Sequence, residues 1–170
     1  MISNNTFHSE VLQPFQIASE KYAASNAFCI SEVFYSYKQL GETISSIRAS
    51  VKALKPGNDN VGLVANDDIE TYAAIIALWL EGKCYVPVNP ETPAERNRNV
   101  LTQAGATVVI DSSEQVLFPE LNVIRSKELS FSKPDLEPVQ VADDALAYIF
   151  FTSGTTGVPK GVPISRANLD

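Results

Sequence analysis

Cysteine is nearly absent from this chain, and positive charge and long apolar runs are scarce. Cys29 and Cys84 are the only cysteines in 170 residues. Each lies in an apolar, strand-like run, which favours two buried small hydrophobes over a disulfide framework or a metal pair. The one histidine, His8, sits in a polar N-terminal stretch where exposure is the default, so no role falls to it. Lysine and arginine total 13 against 20 acidic residues, a formal charge of −7. A nucleic-acid partner would call for a basic stripe, and none is present. No apolar run is long enough to span a bilayer, and the first thirty residues lack a basic start followed by an apolar core. The expectation is a cytoplasmic chain with no membrane partner. Internal repeats and low-complexity tracts are also missing.

What is present suits a globular α/β protein. At 45% hydrophobic and 19% charged, the chain can bury a core, and its size implies one domain or one piece of a larger domain. Residues 7–24 carry apolar side chains at helical spacing, with Pro14 starting or kinking the segment. Two short β-like runs, 27–30 and 33–35, suggest a hairpin. Ser36 and Gln39 then form a capping box ahead of Leu40, Ile44, Ile47, Val51 and Leu54, a helix that ends before Pro56. Residues 61–65 read as a strand, 69–81 as a helix closed by Gly82, and 84–88 as a second strand. That is a βαβ unit, which requires parallel strands. Asp67 and Asp68 resemble an acid–base pair, but helix capping accounts for them more simply. Thr92, Pro93 and Glu95 predict a cap, a first-turn proline and a capping-box partner for another helix ending at Gly105. A strand follows at 107–110. Residues 111–141 are rich in Ser, Glu and Pro and predict surface connections around one edge strand at Val123 and Ile124. Asp143 and Asp144 read as a solvated turn. The expected fold is three-layered α/β, with a mostly parallel sheet and helices on both faces.

The most informative stretch is 145–170, ALAYIFFTSGTTGVPKGVPISRANLD. Residues 146–151 form a near-continuous apolar run, as in a strand buried on both faces. Residues 152–161 then offer the hydroxyls of Thr152, Ser153, Thr155 and Thr156, the glycines Gly154, Gly157 and Gly161, and the ammonium of Lys160, with no carboxylate among them. Glycines bring backbone N–H groups close to a ligand, hydroxyls donate, and lysine adds a point charge; each suits a phosphate. The general nucleotide P-loop does not fit, because Pro159 stands where its second glycine belongs and Gly161 follows the lysine where Ser or Thr is required. A Gly/Ser/Thr-rich stretch is most often a solvated connection. Ten ordered positions directly after an apolar strand argue for a binding loop instead.

Those ten residues, TSGTTGVPKG, resemble the signature T-S-G-[ST]-T-G-x-P-K-G of the adenylate-forming superfamily, which includes acyl-CoA synthetases and the adenylation domains of nonribosomal peptide synthetases. Residues 35–40, YSYKQL, resemble that family's first motif. Residues 78–96, LWLEGKCYVPVNPETPAER, resemble its second, with Glu81 in place of the usual small residue and Asn89 where amino-acid-activating members carry Asp. The resemblance implies ATP-dependent activation of a carboxylic acid, an amino acid above all, to an acyl-adenylate with magnesium. A thioester would then form on carrier-protein phosphopantetheine or coenzyme A. It implies that Thr152, Ser153, Gly154, Thr155, Thr156, Gly157 and Lys160 hold the phosphates, that none is a nucleophile, and that no catalytic or metal-ligating residue lies in this stretch. Residues 1–170 would be the N-terminal portion of an AMP-binding domain, truncated after the phosphate loop and inactive alone. An acyl-CoA synthetase for fatty or aryl acids, and a non-catalytic module on the same fold, remain alternatives.

Overall fold

Short, near-continuous apolar runs form the central strands of the main sheet, apolar residues recur at every third or fourth position in the helices, and elements of both kinds alternate along the chain. The computed structural model describes residues 7–55, 57, 59–152 and 159–169. It opens with a π-helical turn, His8–Leu12, that runs into helix α1, Gln13–Lys21. The single helix expected over 7–24 is therefore in two pieces and stops at Lys21. Strands β1, Asn26–Ile30, and β2, Val33–Ser36, form an antiparallel hairpin whose turn residues Ser31 and Glu32 have positive φ. One expectation fails here, because Cys29 is exposed while Cys84 is buried. The hairpin is a separate two-stranded sheet, and Cys29 lies opposite the exposed Phe34 on its outer side.

Helix α2, Tyr37–Lys52, starts at the expected capping box: Gln39 N donates to Ser36 Oγ at 3.2 Å, and Ser36 N donates to Gln39 Oε1 at 2.9 Å. Strand β3, Asn60–Val64, helix α3, Ile69–Leu80, and strand β4, Cys84–Val88, form the βαβ unit, with β3 and β4 parallel in register. Gly82 ends α3 at φ +70°, and a Cβ there would also come within 2.5 Å of Val141 Cγ1, so both backbone and packing call for glycine. Helix α4, Ala94–Gln103, begins one residue later than expected, with Pro93 at the cap position and no side-chain cap bond. The Thr92–Glu95 box does not form. Thr92 N instead donates to Asn89 O at 3.0 Å in the preceding turn. Strands β5, Val108–Asp111, and β6, Asn122–Arg125, precede β7, Leu146–Thr152, and β8, Lys160–Ser165. A 3-10 turn, Arg166–Leu169, follows.

The main sheet has the order β6-β5-β3-β4-β7-β8, parallel throughout except for β8, which runs antiparallel to β7. Alternation divides its side chains into two cores. Val61, Leu63, Val108 and Ile110 pack with α2 and α3, whereas Val64, Val86, Val109 and Ile149 pack with Val100 and Leu101 of α4. Helices thus cover both faces, giving the three-layer fold. Gly62 lets α4 come close, since a Cβ there would lie 2.6 Å from Leu101 Cδ2.

Residues 129–141 cross α2 and α3 as an irregular strap. Buried Arg48 anchors it, donating from Nε to Glu81 Oε1 at 2.6 Å, from Nη1 to Asp135 O and Oδ1 at 3.0 Å each, and from Nη2 to Glu137 O. Ser45 Oγ accepts from Asp135 N at 3.0 Å, and Val139 N donates to Leu80 O at 2.8 Å. Glu81, the departure from the family's usual small residue, is the carboxylate that receives this buried guanidinium.

Candidate functional site

Strand β7 was expected to be buried on both faces. Ala147 and Ile149 are buried, but Phe150 is 55% exposed, and so is its cross-strand neighbour Val162, at 44%. Burial lapses as the strand nears its carboxyl end. This is the edge of a parallel sheet where open α/β folds bind ligands.

Thr152 ends β7 and Lys160 begins β8, and the two are register partners. Thr152 Oγ1 donates to Lys160 O across the pair at 3.5 Å. Both residues are exposed. Lys160 makes no ion pair among the described residues, which leaves its ammonium available to an anion. The remaining candidates, Ser153, Gly154, Thr155, Thr156 and Gly157, lie outside the described residues. The structure therefore brings together the two ends of the motif, on the first pair of a hairpin.

Beside this mouth, on the α4 side, lies a cleft of about 700 Å³ lined by Val88, Asn89, Arg96, Asn97, Phe150 and Phe151 among others. Its polar wall is built on the turn before α4. Asn89 Oδ1 accepts from Glu91 N at 2.8 Å, and the buried Asn97 donates through Nδ2 to Asn89 O at 2.7 Å. Residues of the second motif and of β7 thus share one concavity, and its size is that of a small-molecule site. Sequence reasoning placed none of these residues in a site. The one available signal was that the second motif ends with Asn89, Glu91 and Arg96, followed directly by Asn97, beside a strand terminus.

Asp67 and Asp68 are not an acid–base pair. Asp68 caps α3, its Oδ1 accepting from Thr71 N at 3.0 Å and Thr71 Oγ1 at 2.8 Å, while Asp67 accepts from Tyr72 Oη at 2.9 Å. Burial pushes the Asp68 carboxyl up, but hydrogen bonds from Ser112, Thr71 and Lys127 together hold it below its ordinary value. Burial drives the Cys84 thiol up to about 12 and lowers Arg166 to about 10. No group of three or more His, Cys, Asp or Glu placed to hold a metal occurs among the described residues, and no described helix is long and apolar enough to cross a membrane.

The chain is similar to tyrocidine synthase 3 of Brevibacillus parabrevis, 32% identical over 163 residues, which are 91% of this chain and 2% of that protein. Among solved structures it resembles the Klebsiella oxytoca NpsA N-terminal subdomain in complex with 3-hydroxybenzoyl-AMSN, with a TM-score of 0.74 and 28% identity over 92% of this chain and 41% of that one. It also resembles the nonribosomal peptide synthetase FmoA3 in its alpha-methyl-L-serine-AMP bound form, with a TM-score of 0.72 and 25% identity over 91% of this chain and 18% of that one. The chain therefore spans a small part of the curated relative and less than half of either solved chain. The profile of the AMP-binding enzyme family matches residues 15–169. With that match, the parallel sheet and the hairpin at its carboxyl edge, the chain belongs to the AMP-binding enzymes of the adenylate-forming superfamily.

Proposed function

We propose that this chain supplies the phosphate-gripping part of an ATP-dependent acid ligase, as the opening portion of its AMP-binding domain. The observation that carries the reading is the Thr152–Lys160 pair, which closes a hydroxyl- and glycine-rich segment into a hairpin at the carboxyl edge of a parallel sheet. A carboxylate oxygen of the acid attacks the α-phosphorus of ATP; the bond to the bridging oxygen breaks and pyrophosphate leaves. Thr152, Ser153, Thr155 and Thr156 donate to the β- and γ-phosphates, Gly154 and Gly157 open the backbone to them, and Lys160 offsets the charge that develops on the leaving group. None of these side chains is a nucleophile. Magnesium would accompany the nucleotide, held by phosphate oxygens together with one or two carboxylates.

An amino acid is the favoured substrate, supported by the likeness to FmoA3 in its alpha-methyl-L-serine-AMP bound form. The favoured acceptor is carrier-protein phosphopantetheine, with coenzyme A second, and the setting is the cytoplasm. Titration of the chain with pyrophosphate and with Mg-ATP tests the grip. Saturable binding that weakens in Lys160→Ala is expected, and a wild-type chain that binds neither ligand would remove the phosphate site. The chain alone is expected to give no ATP–pyrophosphate exchange with amino acids or hydroxybenzoates. Exchange by the chain alone would show that it holds the whole catalytic apparatus.

A further inference from the structure

Gly161 stands opposite Phe151 in the β7–β8 pair. A Cβ at 161 would lie 2.9 Å from Phe151 Cζ and 3.2 Å from both Phe151 Cε1 and Ile149 Cγ2. Gly161 is not one of the glycines at positive φ, so the backbone alone would accept a side chain there. The aromatic ring leaves no room for one. β8 is an edge strand, and an aromatic laid over a glycine on an edge strand repairs the packing the glycine lacks and pins the register of the pair.

We infer that Gly161 and Phe151 are a positioning pair that fixes the mouth of the phosphate hairpin. Phe151 packs against the buried cluster around Val86, Val100 and Ile149 and also lines the cleft. The ring is packed against that cluster on one side, so a new methyl must either drive it out into the cleft or push β8 away from β7 at residue 161. In the proposed pair it is β8 that moves. The next pair along the ladder is Thr152 with Lys160, whose contact of 3.5 Å is already at the limit of a hydrogen bond. A shift of a few tenths of an ångström breaks it and moves the first and last groups of the motif apart. The effect on ligand binding rests on the phosphate-site reading above; the effect on the hairpin does not.

The test uses the whole chain as wild type, Gly161→Ala, and Gly161→Ala with Phe151→Leu, the leucine lacking the ring atoms that the new methyl would meet. Gly161→Ala is expected to speed amide exchange at residues 151, 152, 160 and 161 about tenfold, as a local opening does. It is also expected to weaken pyrophosphate binding roughly tenfold, since small misplacements at a positioned site carry costs of that order. The double variant should return both readouts to near wild type. If Gly161→Ala fails to fold, folding and wild-type exchange in the double variant sustain the pairing. Unchanged exchange in Gly161→Ala, or a double variant as perturbed as the single one, overturns it. A wild-type chain that binds no pyrophosphate counts against the phosphate site, while the exchange pattern still decides for or against Gly161 and Phe151.

Discussion

Replacing Arg48 by methionine should be among the most damaging single changes in this chain. The Arg48 side chain is 3% exposed and its partner Glu81 is 11% exposed, so the pair is held away from water. Methionine fills most of the volume but leaves the Glu81 carboxylate without its contact of 2.6 Å and the carbonyls of Asp135 and Glu137 without their donor. Breaking a buried pair by removing one member costs about 3–5 kcal/mol, because the other charge stays buried. Lys52 Nζ, 3.7 Å from Glu81 Oε1, can move in and offset part of that, which puts the loss near the lower figure, about 3 kcal/mol. For a chain of this size that is a fall in Tm of about 6–12 °C. The second substitution is diagnostic: Arg48→Met with Glu81→Leu removes the stranded charge and should recover more than half of the loss. Limited proteolysis of Arg48→Met should cut first within residues 129–141, the strap that Arg48 anchors. Urea denaturation decides the energetic claim. An Arg48→Met loss below about 1 kcal/mol, the range of an exposed pair, or a double variant no better than the single one, would refute the reasoning.

Lys160→Ala should leave stability within about 0.5 kcal/mol, as at ordinary exposed positions, yet weaken pyrophosphate binding, read by calorimetric titration beside a melting curve. Thiol titration of the native chain should count one fast group, Cys29, which is exposed; Cys84, buried with its thiol pushed up to about 12, should react only on unfolding. Asp135 is held below the ordinary Asp value, chiefly by the hydrogen bond from Lys52, with Arg48 adding to it. Its contribution is therefore present above the unfolded Asp value of about 3.9 and lost as pH falls through the lower folded value. Melting curves between pH 6 and 2.5 should show an acid-side decline that is shallower in Asp135→Asn.

The layers of the fold were legible because pattern and propensity agree in them. The capping box at Ser36 and Gln39, the apolar steps from Leu40 to Val51 and the βαβ spacing from Asn60 to Val88 each point to one conformation. Strand β8 was not legible, since KGVPIS carries a glycine and a proline that lower strand propensity. Such residues are tolerated on an edge strand, where Pro163 has a ladder on one side only. Cys29 misled because an apolar neighbourhood in sequence says nothing about which side of a two-stranded hairpin is covered. The strap anchor left a trace: Arg48 falls between Ile44 and Val51 on the buried stripe of α2, and a cation there needs an acceptor brought by another element. Half of the candidate site was legible for a different reason. Thr152 and Lys160 lie in one continuous motif whose chemistry is local, so the order of its residues directly after an apolar strand points to it. The cleft is assembled from residues near 65, 88–97 and 150 that only the sheet order brings together. On the proposed reading, a ligand group reaching past the phosphates on the α4 side would meet Asn89, Arg96 and Asn97, so which acid is accepted is a question put to that cleft.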